Sequence, residues 1–260
     1  MKPKISIITV CFNSEKHLEE AILSVVNQPY DNKEYLIIDG GSTDGTLDII
    51  AKYRDRIDYF VSEPDKGISD AFNKGIIAAT GDIIGICNSD DQLALNCLQI
   101  LADNYETGID IYRMNEVVKN FDTGEEFLTR PTLVYGKRLM NHYTCHMGCF
   151  ITKQAFNKYG MYDINFRIQM DTELLRRFTV RGAVYKYIDA NCGFFRRGGV
   201  STSAIRRRNY ERKLIMKKYG SSVLDIVITQ SYHHIIQILK QILLTLNIDP
   251  TKLKSKIGLS

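Results

Sequence analysis

The first ninety residues alternate repeatedly between short apolar runs and segments with helical periodicity. The candidate strands are the runs at 5–10, 35–38, 58–62 and 83–86. After the first run, apolar residues recur at helical spacing on one face, namely Leu18, Ala21, Ile22 and Val25. Strands that alternate with helices predict an α/β fold in which a parallel sheet is covered by helices on both faces.

Acidic residues follow the ends of three of these strands. Asp39 closes the second strand, Asp65 lies after the third, and the pair Asp90 and Asp91 follows the fourth. Because the carboxyl ends of parallel strands meet at one edge of a sheet, these acids are expected to share a cleft. Adjacent aspartates repel each other unless a cation neutralises them, and hard divalent ions prefer oxygen ligands. The alternative is that Asp39 and the Asp pair only form turns or cap helices.

The second half of the chain has a different pattern. It predicts a helix at 98–105, strands at 110–112, 148–152 and 183–188, a hairpin at 115–128 and a helix at 171–181. No repeat, low-complexity tract or linker separates the two halves. We therefore expect one domain over residues 1–205, with a nucleotide side at 1–105 and a second-substrate side at 106–205, followed by a helical extension at 206–260.

Composition and missing motifs narrow the function. The chain of 260 residues is 44% hydrophobic and 25% charged, which is typical of globular proteins. Its six cysteines form no CxxC pair, which argues against a zinc site or a disulfide framework and favours the cytoplasm. GxGxxG, P-loop and GxSxG motifs are missing, so dinucleotide binding, P-loop chemistry and serine hydrolysis are not indicated.

Several motifs of the first hundred residues occur in a fixed order. They are Ser6–Asn13, Ile38–Gly45, Glu63–Gly67, Asp70–Gly75, Gly81–Asp82 and Asn88–Asp91. In this order and spacing they resemble the family-2 inverting glycosyltransferases. The resemblance implies a GT-A-type (Rossmann-like) mixed sheet flanked by helices, and transfer of a hexose from a nucleotide-sugar. UDP is the commonest nucleotide in such enzymes, and Mn²⁺ or Mg²⁺ the usual cofactor.

The resemblance also implies roles for individual residues. Positions that line the nucleotide pocket of such enzymes are matched by Thr9, Asp39, Asp70 and Asp90. Asp91 matches the last residue of the family's DxD element, which usually binds the metal. Ser89 stands at the first position of that element, which leaves fewer carboxylates for the ion.

A second carboxylate is needed to take the proton of the acceptor hydroxyl. Asp171 opens the predicted helix at 171–181, and with Glu173 and Arg176 or Arg177 it resembles the family's D-x-[DE]-x-x-x-R element. We expect Asp171 to be the base and Glu173 to contact the acceptor. The alternatives are that Asp171 caps the helix and that Glu173 pairs with Arg177.

Two further segments carry candidate substrate contacts. His146 precedes a predicted strand at a position that lies near the acceptor or the donor phosphates in related enzymes. Met147 departs from the Gln that usually follows, and a structural role for His146 is the alternative. The segment Phe194–Ser201 resembles a late loop of the family, with Arg196 or, as we favour, Arg197 on the diphosphate.

The C-terminal part combines positive charge with amphipathic periodicity. Residues 196–218 contain nine basic side chains and one acidic one, and residues 223–246 have an apolar face. A solvated helix face is one interpretation of the charge, and contact with anionic lipid heads or a lipid-linked acceptor is the other. The amphipathic segment packs on its own domain or a partner subunit, as in a homodimer, or lies in a membrane interface. No recognition motif for nucleic acid accompanies it.

Together these patterns predict a metal-dependent inverting glycosyltransferase of the cytoplasm, peripheral to the inner membrane face if the C-terminal part contacts lipid. Its acceptor is expected to be a glycan or a polyprenyl-linked glycan, as in cell-envelope polysaccharide synthesis. A sugar nucleotidyltransferase and a binding or scaffold protein without turnover are the alternatives.

Overall fold

The computed structural model describes residues 2–121, 123–132, 146–196 and 205–246. The strands are β1 (Ile5–Cys11), β2 (Lys33–Asp39), β3 (Tyr59–Ser62), β4 (Ile83–Ile86), β5 (Gln92–Leu93), β6 (Ile111–Lys119), β7 (Glu126–Thr129), β8 (Cys149–Thr152) and β9 (Tyr185–Arg196). The helices are α1 (Leu18–Val26), α2 (Thr46–Lys52), α3 (Ile68–Ala78), α4 (Cys97–Asp103), α5 (Lys153–Tyr159), α6 (Met170–Val180), α7 (Ile205–Lys218) and α8 (Val223–Thr245). A 3₁₀ helix covers Arg54–Arg56.

The strands form one mixed sheet in the order β3-β2-β1-β4-β8-β6-β9-β5, and β7 pairs with β6. The first four positions are parallel, as the alternating pattern predicts. β8 then runs antiparallel to both β4 and β6, and β9 is parallel to β6. The predicted mixed α/β sheet flanked by helices is therefore confirmed, and only its first half is wound in parallel.

Helices cover both faces of the sheet, so the central strands are apolar on both sides. Along β1, Ile5 and Ile7 pack into one hydrophobic cluster while Ile8 and Val10 pack into the other. This explains why the parallel strands read as continuous apolar runs. Gly85 on β4 allows the ring of Phe150 on β8 to approach, because a Cβ there would lie 2.6 Å from a ring carbon.

Some local predictions are wrong in detail. Gly81 does not form a left-handed cap after α3, since that helix ends at Ala78 and Ala79 is extended. Gly81 is instead required by a close approach, because a Cβ would lie 2.5 Å from the Ser6 hydroxyl oxygen. The predicted hairpin corresponds to β6 and β7, although its turn residue Asp122 lies outside the described residues. α5 and β5 have no counterpart in the sequence prediction.

The two C-terminal helices relate to the core in different ways. α7 buries Ile215 and Met216 in the cluster that also contains residues of α3 and α6. The division predicted near residue 205 therefore follows a change in composition and does not separate two cores. α8 packs mainly through its first turns, where Ile226 and Thr229 are buried. In the described part of the chain, none of the helices has the length and hydrophobicity to span a bilayer.

Candidate active site

The turns that follow β1, β2 and β4 touch one another at the carboxyl edge of the sheet. The backbone N–H of Asn13 donates to the Ser42 hydroxyl over 2.7 Å, and the Ser89 hydroxyl donates to that of Ser14 over 2.9 Å. The strand order places β1 between β2 and β4, so their ends are neighbours. This edge is where open α/β sheets bind ligands.

Asp39 is completely buried in this edge and its carboxylate is satisfied by the protein itself. It accepts hydrogen bonds from the Ser42 N–H at 2.9 Å, the Ser62 hydroxyl at 2.6 Å and the Gly41 N–H at 3.1 Å. Burial alone would raise the pKa of Asp39, but the hydrogen bonds from Ser42 and Ser62 outweigh it and the pKa is lowered. The structure therefore favours the turn-forming alternative over direct contact with a ribose.

Thr9 is also completely buried, and its hydroxyl accepts a hydrogen bond from the Tyr35 hydroxyl over 3.0 Å. It presents no surface to the cleft, so the predicted contact with the donor is not supported. Asp70 lies in the first turn of α3 and is partly exposed. Its carboxylate accepts from the Lys66 N–H at 3.0 Å and lies 3.9 Å from the Lys74 ammonium. It keeps surface that a ligand can reach.

The surroundings of the adjacent residues Asp90 and Asp91 disfavour the charged carboxylates. Asp91 is 1% exposed, and burial together with repulsion from Asp90 raises its pKa well above the usual range. Burial raises the pKa of Asp90 as well. One carboxylate oxygen of Asp91 accepts a hydrogen bond from the backbone N–H of Arg196, and the other accepts one from the side-chain amide of Asn88. Both distances are 3.0 Å, and together these bonds fix the orientation of the carboxylate.

The donor set beside Asp91 suits a hard divalent cation. The side-chain carbonyl oxygen of Asn88 is buried and accepts no hydrogen bond from a described residue. An orphaned carbonyl next to two crowded carboxylates offers the oxygen ligands that Mg²⁺ and Mn²⁺ prefer. Asn88 was not singled out from the sequence, where an Asn in a turn has no distinctive signal. Among the described residues, no group of three His, Cys, Asp or Glu is arranged to hold a metal without further ligands.

The end of β9 closes over the acid pair. The guanidinium of Arg196 bonds the carbonyl oxygen of Asp90 at 3.2 Å, pairs with Glu20 at 2.7 Å and stacks 3.6 Å from the Phe121 ring centroid. Arg196 therefore links the end of β9 to the turn after β4 and to α1. Because its guanidinium is engaged by these partners, it is not available for the diphosphate contact that the sequence suggested. Arg197, the favoured residue for that contact, lies outside the described residues.

His146 and Asp171 form the second centre of the cleft. His146 Nδ1 lies 2.8 Å from Asp171 Oδ1, although the oxygen is off the direction of the N–H bond. Burial disfavours the charged imidazole, but the attraction of Asp171, with smaller contributions from Asp91 and Glu116, raises the pKa of His146. The Nε2 atom of His146 is buried and has no hydrogen-bond partner among the described residues.

The charges of both Asp171 and Asp91, eighty residues apart in sequence, contribute to the raised pKa of His146. The imidazole of His146 stacks on Phe72, with ring centroids 5.2 Å apart. Tyr162 also packs on Phe72, with centroids 5.1 Å apart, and its ring lies 6.4 Å from the imidazole of His146. An aromatic wall thus limits water around the imidazole. Asp39, by contrast, is enclosed by its own turn and by Ser62.

Asp171 does not cap its helix. α6 begins at Met170, so Asp171 is inside the first turn. The backbone N–H groups of Arg167, Ile168 and Gln169 donate instead to the carboxylate of Glu211 on α7, at 3.1, 2.9 and 2.9 Å. The alternative assignment of Asp171 as a cap is therefore wrong, and its carboxylate remains directed at the cleft, with 19% of the side chain exposed.

Glu173 has a structural role. Its side chain is fully buried and accepts from Arg177 at 3.2 Å, from Lys218 at 2.9 Å and from the Tyr219 hydroxyl. The alternative i,i+4 pair with Arg177 is confirmed. Contact with an acceptor, as predicted, is not supported because no part of Glu173 reaches the surface.

The family model described as "Glycosyl transferase family 2" matches residues 6–164, which is more than half of the 260 residues. The chain belongs to glycosyltransferase family 2. The match includes β1 to α5, the Asp pair and His146, and it ends before Asp171. The resemblance inferred from the six motifs is confirmed.

Two relatives of this family-2 glycosyltransferase lack an established activity. One is an uncharacterised glycosyltransferase of Haemophilus influenzae, 40% identical over 100 residues, which cover 37% of this chain and 40% of that protein. The other, from Mycobacterium tuberculosis, is 28% identical over 187 residues, covering 67% of this chain and 68% of that protein. The first match thus spans about two fifths of its relative.

Solved glycosyltransferases share the fold of this family-2 chain. S. aureus TarS residues 1–349 in complex with UDP-GlcNAc has a TM-score of 0.67 at 16% identity, covering 98% of this chain and 79% of that one. The mannosyltransferase PcManGT of Pyrobaculum calidifontis, in complex with GDP-Man and Mn²⁺, has a TM-score of 0.65 at 16% identity, covering 90% and 69%. At this identity the likeness establishes the GT-A-like fold.

Proposed function

We propose that this chain is a metal-dependent, inverting hexosyltransferase that uses a UDP-sugar. The observation that carries the proposal is the pairing of Asp171 with His146, whose pKa is raised by Asp171 and, to a smaller extent, by Asp91. A carboxylate released from helix capping and facing the cleft suits a general base. A crowded carboxylate pair with an orphaned carbonyl oxygen suits a cation on a diphosphate.

In the proposed reaction the acceptor hydroxyl oxygen forms a bond to the anomeric carbon of the donor sugar. The bond from that carbon to the diphosphate oxygen breaks, and the nucleoside diphosphate leaves with the electron pair. The hydroxyl proton passes to the Asp171 carboxylate. Attack on the face opposite the leaving group inverts the anomeric configuration. A divalent cation held by Asp91 and Asp90, with Asn88 nearby, would supply positive charge for the leaving diphosphate.

His146 positions the base in this scheme. Its Nδ1 atom lies 2.8 Å from Asp171, and its ring is held by the stack on Phe72. The unpartnered Nε2 atom leaves a hydrogen-bonding position for the acceptor or a donor phosphate oxygen. Asp70, which keeps partly exposed carboxylate oxygens, is the remaining candidate for a contact with the nucleotide.

The choice of UDP rests on the resemblance and on the UDP-GlcNAc complex of TarS, and GDP is the competing nucleotide because PcManGT was solved with GDP-Man. For the acceptor we propose a glycan or a polyprenyl-linked glycan of the cell envelope, assembled on the cytoplasmic side. The resemblance supports this class.

The deciding experiment measures donor binding calorimetrically, with a panel of UDP- and GDP-sugars, in Mn²⁺ and in EDTA. We expect binding of a UDP-sugar that depends on Mn²⁺ in the wild-type protein and in the surface variant Asp48→Asn. Asp91→Asn should lose the Mn²⁺-dependent part, because the diphosphate loses its counterion. Donor binding by the Asp91 variant that still depends on Mn²⁺ as strongly as in the wild type would contradict the metal assignment. Tight donor binding with no sugar release to any acceptor or to water would identify a binding protein.

A further inference from the structure

The outer side of α7 carries a stripe of basic residues around a tyrosine. Arg206, Tyr210, Lys213 and Lys217 follow one another at spacings of four, three and four, which places them on one line of the helix. All four are exposed, and Tyr210 is 56% exposed. None of the three basic residues forms an ion pair with a described residue. The stripe lies opposite the buried side of α7, which contains Glu211 and Ile215.

α8 carries a complementary apolar stripe. Leu224, Val227, Ile235, Ile238 and Ile242 lie along one side of the helix and are each between 43% and 65% exposed. The stripe is about 27 Å long at 1.5 Å per residue. It faces away from the side that contains the buried Ile226 and Thr229. From the sequence we favoured packing of this segment on its own domain. In the structure only the first turns of α8 are buried in this way.

We infer that the outer faces of α7 and α8 form a docking surface for anionic lipid. The two helices pack on each other as a hairpin, and the Gln230 amide of α8 donates to the Asn209 carbonyl of α7 over 3.2 Å. Apolar side chains enter the boundary between head groups and acyl chains, while the basic stripe pairs with anionic head groups. An aromatic ring among the basic residues suits the same interface.

Charge decides between lipid and a second copy of the chain as the occupant. In a symmetric dimer the same surface lies on both sides, so Arg206, Lys213 and Lys217 would meet the partner's basic or apolar stripe, neither of which contains an acid. An anionic membrane supplies the opposite charge over the whole face. The long apolar stripe beside the basic one does not suit a nucleic-acid phosphate backbone, which offers only charge.

The proposal is independent of the donor chemistry, so its test uses no nucleotide-sugar. Full-length protein is floated with vesicles of phosphatidylcholine alone or with a third of phosphatidylglycerol. We expect binding to the anionic vesicles only. Lys213→Glu/Lys217→Glu should reduce the bound fraction by at least about tenfold, since each basic residue near an anionic surface contributes roughly fivefold. The matched control is Lys52→Glu/Lys158→Glu, two exposed lysines with the same change in net charge.

A second pair tests the apolar stripe. Ile238→Gln/Ile242→Gln should reduce vesicle binding at unchanged melting temperature, because both side chains are already exposed to water. Ile77→Gln/Leu95→Gln, which removes apolar surface elsewhere, should bind like the wild type. Equal binding to neutral vesicles, or binding that neither stripe variant weakens, would overturn the proposal. So would a stable dimer by light scattering that Ile238→Gln/Ile242→Gln converts to a monomer, since the face would then belong to a second copy.

Discussion

Glu211 binds the backbone segment that leads into the helix on which Asp171 lies. Its buried carboxylate accepts three backbone N–H groups that lead into α6 and also pairs with Arg207 at 2.5 Å. A carboxylate just before a helix N-terminus interacts favourably with the helix dipole, and this one also satisfies three backbone donors of the preceding segment. A residue of the C-terminal basic segment therefore fixes the position of the proposed base.

Glu211→Gln should destabilise the fold and impair transfer. The amide replaces one accepting oxygen with an NH₂ group that would face backbone N–H donors, and it removes the charge, which we expect to cost about 2 kcal/mol. The melting temperature should fall by roughly 5 °C, and kcat should fall more than donor affinity because α6 shifts. Glu106→Gln, at an exposed position, is the control. A variant with full kcat and an unchanged melting temperature would show that the charged contacts of Glu211 with the segment before α6 are dispensable.

Asp171→Asn should keep donor binding within about twofold and reduce transfer by a factor of 10² to 10⁴, the usual contribution of a general base. Initial rates with saturating donor, compared with calorimetric donor affinity, separate the two effects. Turnover near the wild-type rate would place the base elsewhere. Glu173 is not the substitute, because it is fully buried.

The same variant should change the titration of His146. Since the Asp171 carboxylate is what raises the pKa of His146 above 6.5 against the opposing effect of burial, replacing it with an amide should lower that pKa. Histidine ring resonances followed by NMR from pH 5 to 9 measure the shift directly. Asp48→Asn should leave the titration unchanged. An identical His146 pKa in the Asp171 variant would mean that the ion pair does not form in solution.

Asp39→Asn separates a structural role from a ligand contact. The amide nitrogen would face donors from Ser42 or Ser62, so unfolding free energy should fall by about 2 to 3 kcal/mol. Urea unfolding monitored by circular dichroism gives the value, with Asp48→Asn as the reference. Unchanged stability together with lost UDP affinity would instead support the ribose contact implied by the family resemblance.

At acid pH the fold should lose the stabilisation that ionised Glu34 on β2 contributes to the free energy of unfolding. Burial opposes ionisation, but hydrogen bonds from the Ser6 hydroxyl, Thr80 and Lys4 lower its pKa to about 2 from 4.5. A lowered pKa stabilises the fold fully above pH 4.5, and the contribution disappears as the pH falls towards 2. Glu34→Gln should therefore be less stable than the wild type by about 3 kcal/mol at pH 7. A stability difference that does not narrow between pH 5 and pH 3 would contradict this.

The sequence was most informative where local pattern and tertiary structure agree. Strands β1, β2 and β4 and the Asp pair that follows them were predictable because buried parallel strands are apolar throughout and turns come at their ends. Asp39 shows what the sequence pattern cannot distinguish. An aspartate that stabilises its own turn and an aspartate that binds a ribose both stand at the end of a strand. Only the donors around the carboxylate distinguish them.

Glu211 could not be predicted from sequence, since it is the single acid in a strongly basic segment and its partners lie more than forty residues upstream. β9 extends to Arg196, well beyond the predicted end, because pairing with β6 and β5 holds a segment whose own pattern is weak. Long-range pairing of this kind leaves no periodic signal in the strand.

The placement of α7 has a practical consequence for anyone who shortens the protein. A version that stops near residue 205, where the composition changes, would lose Ile215 and Met216 from the interior together with the Glu211 carboxylate, and should misfold. A version that stops after Gly220 keeps Ile215, Met216 and Glu211. It should yield a folded enzyme that lacks only α8 and its exposed apolar side chains.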